Sequence, residues 1–274
     1  MATRIPEERR LAIAAEVRRR PLVRAGELAD RFGVSVETVR RDLMALEGQG
    51  VLQRVYGGAR GVAVRTFEAP ASQRQRKELA AKRAMATLVV SLLSPGNTVI
   101  LDVGTSVAEV ARRLPWDFRG RVLTPSLMVA AALDGHPGVE VLVSGGQMRG
   151  GDMALSGHHA QRFVADFYVD KAILGSGGVH AAAGLTDYYP AEVALRQIVL
   201  AHAAETYVLA DATTVGHVAL CKVCDLRDVT AVVTDSRVTQ ASIEELESAG
   251  ATVLVSPLED DGRTRGPADE QRAS

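Results

Sequence analysis

The stretch VSVETVRRDLMAL at residues 34–46 predicts a helix with two chemically different faces. Its apolar residues recur at the spacing of one buried helix face, namely Val36, Val39, Leu43 and Leu46. The opposite side is polar and presents side chains able to contact base edges and phosphates, namely Glu37, Thr38, Arg40 and Arg41. Ser35 precedes the helix, and its hydroxyl is expected to cap the first turn, leaving other N–H groups to a phosphate. Alone, this pattern also fits an ordinary surface helix.

Two further helices are predicted upstream of this stretch. The nearer one shows the i, i+3, i+4, i+7 spacing of an amphipathic helix at Ala25, Leu28, Ala29 and Phe32. It is expected to end at Gly33, which can adopt the left-handed cap conformation. The earlier helix starts near Pro6 and buries Ile13 and Val17. A helix, a glycine turn and a capped helix form a helix-turn-helix, whose second helix enters the major groove.

Downstream of the recognition helix the pattern changes from helix to hairpin. Gly48 and Gly50 are expected to end the helix. Residues 51–59 then predict a small hairpin in which Leu52 packs inward and Arg54 reaches a phosphate. We therefore predict a winged helix-turn-helix that binds double-stranded DNA.

Charge is distributed in agreement with that prediction. The chain has 274 residues, of which 47% are hydrophobic and 24% charged, and its net charge is -1. Residues 1–60 contain 12 arginines, no lysine and 8 acidic residues, a balance of +4, so the remainder carries -5. A positive end would neutralise phosphates and make DNA affinity fall with salt. An excess of four charges is weak evidence by itself.

The remainder of the chain predicts an α/β domain. Residues 61–74 lack sustained periodicity and are assigned to a linker, residues 75–257 to the α/β domain, and the charged residues 258–274 to a disordered tail. A helix is expected from Gln75 to Leu93, ending before Pro95. Apolar runs then predict seven strands, at 98–103, 121–124, 139–144, 172–174, 207–210, 230–234 and 252–255. Helices between them, for example at 106–114, 190–204 and 240–249, imply a mostly parallel, helix-covered sheet.

Small polar residues follow several of these strands. In open α/β sheets, ligands bind beyond the carboxyl ends of the strands. Gly104 permits a close backbone approach, Thr105 and Ser106 add hydroxyls, and the following helix N-terminus favours an anion such as phosphate. Asp102 and Asp211 are candidates to hold sugar hydroxyls. The other candidate effector-binding residues are Ser126, Gly145, Gly146, Lys171, Glu192 and Thr214.

The cysteines and histidines predict no metal or cofactor site. Cys221 and Cys224 form one C-x-x-C without two further ligands at zinc spacing, and apolar neighbours favour packing for both. A redox pair remains the alternative. The longest apolar run, 127–133, is far shorter than the ~20 residues of a membrane helix. The N-terminal residues also lack an apolar signal segment, so we expect a cytoplasmic protein.

The N-terminal pattern resembles the DNA-binding domain of the DeoR family of bacterial transcription regulators. The residues that carry the resemblance are Val34-Ser35, Thr38 to Leu43, Leu46-Glu47, Gly50, Leu52, Arg54 and Gly57-Gly58-Ala59. Tyr56 departs from the family, which usually has a histidine there.

The second half is similar to the effector domain of the same family. The matching residues are Asp102 to Ser106, Ser126-Leu127, Gly145-Gly146, Ser156-Gly157, Asp170-Lys171, Gly184-Leu185, Glu192, Asp211 and Thr234-Asp235. The resemblance implies a fold similar to sugar-phosphate isomerases, a phosphorylated sugar or related metabolite as effector, and repression as the usual mode. Pro125 stands in place of a usual asparagine, and Thr214 in place of a usual lysine.

These patterns predict a repressor of a carbohydrate operon that its effector releases from DNA. One recognition helix reads only a few base pairs, so we expect a homo-oligomer, a dimer or a tetramer. Two other functions compete with this one. The first is a redox-responsive regulator using Cys221 and Cys224, and the second is an isomerase-like enzyme, for which Thr214 removes one candidate cation.

Overall fold

We describe the protein from a computed structural model, which places residues 6–20, 22–48, 52–61, 64–65 and 68–258. Gly50 and Val51 and almost all of the predicted tail, from residue 259 onward, lie outside this described part. No helix in the described ranges is long and apolar enough to cross a membrane.

The N-terminal elements form the predicted winged helix-turn-helix. They are α1 (Pro6–Arg19), β1 (Val23–Arg24), α2 (Ala25–Phe32), α3 (Val36–Gly48), β2 (Leu52–Val55) and β3 (Gly58–Gly61). The strands form an antiparallel sheet in the order β1-β3-β2, in which β2 and β3 are the wing hairpin. Gly33 ends α2 with φ 64°, a conformation that glycine adopts without steric cost.

A small apolar core holds the three helices and the wing together. It contains Ile13 and Val17 of α1, Leu28 of α2, and Leu43 of α3, and Leu52 is fully buried as predicted. Val36 is an exception to the predicted inner stripe, because 40% of it is exposed. It lies on the first turn of α3, which extends past the core, so the helical spacing alone misassigns it.

The segment after the wing contains more regular structure than a linker. Strand β4 (Val64–Arg65) pairs in parallel with a short strand at Val218–Ala219. Helix α4 follows at Ala71–Arg76, and its mostly polar sequence shows no apolar spacing that would reveal it.

The predicted helix at Gln75–Leu93 is in fact broken into α4 and α5 (Leu79–Ser91). The break lies at Glu78, which has a positive φ of 55°. An ion pair between Glu78 and Arg237 holds the chain there. Tertiary contact therefore overrides the local helix pattern.

Seven parallel strands form the central sheet, and each corresponds to a predicted strand. They are β5 (Thr98–Leu101), β6 (Gly120–Thr124), β7 (Val139–Val143), β10 (Val169–Leu174), β13 (Ala203–Leu209), β16 (Ala231–Asp235) and β17 (Val253–Ser256). Their order is β17-β16-β13-β10-β5-β6-β7. Runs of Val, Ile and Leu identify these strands because both faces of a parallel sheet are buried.

Helices cover both faces of this sheet. They are α5, α6 (Thr105–Arg113), α7 (Leu127–Ala132), α8 (His158–Ala165), α9 (Pro190–His202) and α10 (Gln240–Ser248). One apolar cluster packs α5, α6 and α7 against one face, with Met85, Val107 and Val129 at its centre. A second cluster packs α8, α9 and α10 on the other face, around Leu174 and Val199.

Short strands outside the central sheet were not predicted. They are β8 (Gln147–Arg149), β9 (Ala154–Ser156), β11 (Gly178–His180), β12 (Gly184–Asp187), β14 (Val218–Ala219) and β15 (Cys221–Cys224). Strands β8 and β9 form a hairpin, and β11, β12 and β15 form a three-stranded sheet. These hairpins extend from the carboxyl ends of β7, β10 and β13, so they form walls around the loops predicted to bind a ligand.

Candidate functional site

The exposed face of α3 carries the predicted DNA contacts. Ser35 caps the helix by accepting a 3.1 Å hydrogen bond from the Thr38 backbone N–H, and the two hydroxyls lie 2.9 Å apart. Arg40 and Glu37 form an open pair at 3.5 Å, with both side chains at least 60% exposed. Arg41 is exposed, and among the described residues no carboxylate pairs with it. This face offers cations and hydroxyls of the kind that contact DNA.

The wing arginine differs from those on α3, because it is already paired. Both the backbone N–H and the guanidinium of Arg54 donate to the Glu47 carboxylate near the end of α3. About half of its side chain remains accessible, at 44%. A phosphate contact by Arg54 therefore competes with Glu47.

A buried ion cluster fixes α1 against the recognition helix. The carboxylate of Asp42 on α3 accepts from Arg9 at 2.6 Å and from Arg10 at 3.1 Å. The Asp42 side chain is only 3% exposed. The cluster lies on the inner side of α3, so it positions the helix and leaves the DNA-facing residues open.

Two adjoining cavities lie beyond the carboxyl ends of the central strands. They enclose about 450 and 760 Å³ of space, which includes the solvent at their open mouths. Five residues line both cavities, namely Glu68, Arg74, Thr105, Ser106 and Ser176. The smaller cavity continues toward Arg149 and Glu192, and the larger toward Asp211 and Thr214.

The N-terminus of α6 opens into the cavities. Gly104 precedes the helix with φ 121°, a backbone conformation that side-chain-bearing residues rarely adopt. No side chain in the described part of the chain caps the first turn, so its N–H groups are available to an anion together with the positive end of the helix dipole. Thr105 and Ser106 add hydroxyl groups at the same place.

Three arginines that the sequence did not single out line the smaller cavity. They are Arg74 of α4, Arg149 of β8 and Arg196 of α9. Arg149 donates to Glu192 at 2.7 and 2.9 Å and stacks 3.6 Å from the centre of the Tyr189 ring. Glycines on both sides of Arg149 could have indicated a turn at a ligand site, whereas the sequence around Arg74 and Arg196 gives no such indication.

Carboxylates already neutralise these arginines. Arg74 pairs with Glu68 at 2.9 Å and with Asp152 at 2.8 Å, and Arg149 also contacts Asp152. Burial raises the pKa of Glu192 above its ordinary value, against the opposing effect of the nearby arginines. The smaller cavity thus contains bound cations whose partners must be exchanged before an external anion can pair with them.

Arg196 anchors the floor of the cavity. Its guanidinium donates to Asp102 at 2.6 Å and to Asp187, and all three side chains are at most 6% exposed. Burial alone would lower the pKa of Arg196, but Asp102, Asp187 and Glu192 outweigh it and raise that pKa. Asp102 also accepts the Gly175 backbone N–H at 3.2 Å, so it ties the β5 and β10 loops together.

Six of the eleven predicted effector residues line the cavities, and five do not. The six are Gly104, Thr105, Ser106, Glu192, Asp211 and Thr214. Asp102 lies behind the wall with 1% exposure. Its observed role is to orient Arg196, since it does not reach the open space where a sugar hydroxyl would be.

The other four candidates have local roles away from the cavity lining. Ser126 is fully buried and caps α7 by accepting from the Val129 N–H. Gly145 and Gly146 form the turn before β8, with φ 66° and 104°. Lys171 lies toward the amino end of β10, where it pairs with Glu205 at 2.6 Å. A lysine at that end of a parallel strand cannot reach the opposite end.

Asp211 organises the loop after β13. Its carboxylate accepts from the Thr213 N–H and hydroxyl at 2.9 and 2.7 Å and from the Thr214 hydroxyl at 3.2 Å. Lys82 of α5 lines the same cavity, is 5% exposed and donates to the Lys77 carbonyl at 2.8 Å. Burial lowers its pKa, and Asp211 opposes that shift. Lys82 is therefore a further cation, after the three arginines, that the sequence did not reveal.

The cysteines cannot form a local disulfide in this fold. Cys221 and Cys224 are free and lie at the two ends of β15. Three residue steps along an extended strand place their Cα atoms about 10 Å apart, beyond the ~7 Å limit for a disulfide. Burial raises the pKa of the Cys224 thiol to about 12, which disfavours the reactive thiolate. The geometry argues against the redox alternative and agrees with a packing role for both cysteines.

Among the described residues, no group of three His, Cys, Asp or Glu side chains could hold a metal.

Comparisons with known proteins match both parts of the chain. A family model of the DeoR-like helix-turn-helix domain matches residues 9–63, and a model of the DeoR C terminal sensor domain matches residues 77–236. The chain is similar to the HTH-type transcriptional regulator GlpR of Haloferax volcanii, with 33% identity over 227 residues, 83% of this chain and 89% of the relative.

A second relative is the lactose phosphotransferase system repressor of Staphylococcus epidermidis. It is 30% identical over 223 residues, which cover 80% of this chain and 88% of the relative. Among solved structures, ribose 5-phosphate isomerase A of Methanocaldococcus jannaschii matches 48% of this chain and 52% of its own, with 18% identity and a TM-score of 0.36.

Proposed function

Since the chain belongs to the DeoR family of transcriptional regulators, we propose that it represses a carbohydrate operon and that a phosphorylated sugar releases it from DNA. It is a DNA-binding regulator and not an enzyme. A relative named as a lactose phosphotransferase system repressor supports a sugar-related operon.

The observation that carries the effector proposal is the open N-terminus of α6 between arginines. Gly104, Thr105 and Ser106 provide N–H groups and hydroxyls for a phosphate, and Arg149 lies across the smaller cavity. The remaining polar lining, including Asp211 and Glu192, suits sugar hydroxyls, which donate hydrogen bonds to carboxylates.

Ligand screening tests this proposal directly. We expect a panel of phosphorylated sugars to raise the thermal unfolding temperature for at least one member, because a ligand that binds only the folded chain stabilises it. Ser106→Ala should lower the affinity for that ligand, whereas Ser91→Ala, on an exposed turn of α5, should leave it unchanged. If no phosphorylated sugar raises the unfolding temperature at millimolar concentration, the effector proposal is wrong.

Oligomeric state and location belong to the same proposal. A DNA-reading unit of this size needs a second half-site for adequate affinity, so we propose a dimer or tetramer acting in the cytoplasm, where operator DNA lies. Light scattering should give a multiple of the 29.1 kDa chain mass. A monomer at micromolar concentration would contradict this part of the proposal.

A further inference from the structure

Glu68 brings the segment that follows the wing into the effector cavities. It lines both of them, and its side chain is only 14% exposed. One carboxylate oxygen accepts from Arg74 at 2.9 Å, and the other faces Arg149 at 3.8 Å. The residue comes three positions after Arg65 of β4 and seven after Gly61 of the wing strand β3. A contact inside the cavity is therefore close along the chain to the DNA-binding unit.

Glu68 is held differently from the other carboxylates around the arginines. Glu192 belongs to helix α9, Asp187 to strand β12, and Asp152 is fixed by the Ala71 N–H at 3.0 Å as well as by two arginines. Glu68 lies outside any helix or strand, and the hydrogen bonds and ion pairs described for it are those of its carboxylate. Glu68 can therefore leave the cavity without breaking a helix.

The charge balance makes an exchange favourable. Arg74 and Arg149 face two nearby carboxylates beside Glu68, so an added phosphate would meet repulsion unless one acid leaves. A phosphate dianion has more acceptor oxygens and charge than a carboxylate for a guanidinium pair. Burial raises the pKa of Glu68 to about 7, so its charged form is poorly stabilised where it lies. Of the four acids lining the cavity, Glu68 is the one whose departure costs least.

We propose that Glu68 occupies the phosphate position between Arg74 and Arg149, and that the phosphate of the effector displaces Glu68 and loosens β4, whereas α4 keeps Arg74 beside the phosphate. This inference rests on the proposed function, since it assigns a subsite and a coupling route to the same cavities. An anion then binds more tightly to the arrangement with Glu68 outside. Such differential affinity is what allows a ligand to change DNA binding.

The first experiment measures anion binding by calorimetry with sodium sulfate at pH 8. Sulfate is a dianion throughout the neutral range, so its own titration does not complicate the result. Removing the competing charge in Glu68→Gln should tighten sulfate binding at least about fivefold relative to wild type. Glu140→Gln is the matched control, because Glu140 lies on β7 in an exposed pair with Arg121, and it should bind as wild type does.

The second experiment measures hydrogen exchange in peptides that span residues 64–70, with peptides of α4 as the internal reference. Sulfate should accelerate exchange there in the wild-type protein, and in Glu68→Gln exchange should already be fast without sulfate. Unfolding curves of both proteins show whether the variant is folded. If Glu68 has only a structural role, its replacement should accelerate exchange without tightening sulfate binding. That combination would overturn the inference.

The outcomes separate this inference from the proposed function. If wild type and Glu68→Gln bind sulfate with equal affinity, Glu68 does not compete with the anion. The cavity then remains an anion site. If neither protein binds sulfate or any phosphorylated sugar, both the effector site and the competition by Glu68 are wrong. Tighter sulfate binding in the variant, with faster exchange at residues 64–70, supports both the proposed function and the competition.

Discussion

Arginines are arranged in opposite ways in the two parts of this molecule. On α3, Arg41 is exposed, and no described carboxylate pairs with it, whereas in the cavity Arg149 and Arg196 each contact largely buried acids. An exposed cation attracts DNA phosphates from a distance, and salt screens that attraction. A paired cation binds an anion only by exchanging partners. The first arrangement provides affinity for a polyanion, and the second favours selection of one small ligand that fits well enough to compete.

The largest effect that follows from this difference concerns Arg196. Replacing it in Arg196→Leu leaves Asp102 and Asp187 buried without their cation, which should lower the free energy of unfolding by about 3–5 kcal/mol. Urea unfolding measures this loss, with Arg227→Leu as control, because Arg227 is exposed on the short 3-10 turn Leu226–Asp228. A loss no greater than that of the control would mean that the paired cation does not hold the cavity floor.

Arg41 tests the exposed side of the comparison. Because it points away from the α3 core with no described partner, Arg41→Ala should cost about 1–3 kcal/mol of specific DNA binding and relax discrimination at one or two base pairs. Titrations use a duplex selected by the wild-type protein from a random-sequence pool. Arg121→Ala, on strand β6, is the control.

Arg54 provides the internal contrast on the DNA-binding unit. Since Glu47 already holds its guanidinium, Arg54→Ala should weaken binding to all DNA sequences alike, and by less than Arg41→Ala does. Sequence discrimination that changed with Arg54 and not with Arg41 would place base recognition on the wing instead of on α3.

The sequence predicted the framework better than the site, for a physical reason. A buried parallel strand is apolar along its whole length, and a helix in a small core repeats every three or four residues, so seven strands and the helix-turn-helix are visible locally. The cavity arginines come from three distant segments, and only the folded chain brings Arg74, Arg149 and Arg196 together. No local spacing in the sequence indicates that these three arginines come together.

Residues that follow strands were assigned with mixed success for a related reason. Gly104 and Ser106 line the cavities because a strand end followed directly by a helix fixes their place. Ser126 has the same sequence setting, but its hydroxyl faces inward and caps α7. The direction of a side chain at a strand end depends on the next turn, which sequence spacing does not determine.

A further effect should appear in the pH dependence of stability. Burial raises the pKa of Glu68 from 4.5 to about 7; Asp187 and Glu192 add to the increase, and Arg74 and Arg149 oppose it. The folded chain therefore holds this proton more tightly than the unfolded chain. Glu68 costs no stability below about pH 4.5, and the cost grows as the pH rises toward 7.

Unfolding curves of wild type and Glu68→Gln between pH 4.5 and 8 measure this cost. The variant should gain roughly 1–3 kcal/mol relative to wild type across the interval, because each pKa unit corresponds to about 1.4 kcal/mol. Parallel curves would show that Glu68 titrates in the folded chain as it does in the unfolded one, and that the cavity does not disfavour its charge.

The smallest expected effect is at Thr214, where a lysine would add an exchangeable cation to the larger cavity. Its hydroxyl now donates to Asp211, so a new ammonium would also find that carboxylate nearby and lose part of its attraction for a ligand. Thr214→Lys should therefore tighten the binding of a phosphorylated sugar only a few-fold, or by under about 1 kcal/mol as measured by calorimetry. Thr87→Lys, at an exposed position of α5 outside both cavities, is the control. An increase of a hundredfold would show that phosphate lies in the larger cavity beside Asp211 and not between Arg74 and Arg149, and the paired arginines would then serve only to hold the fold.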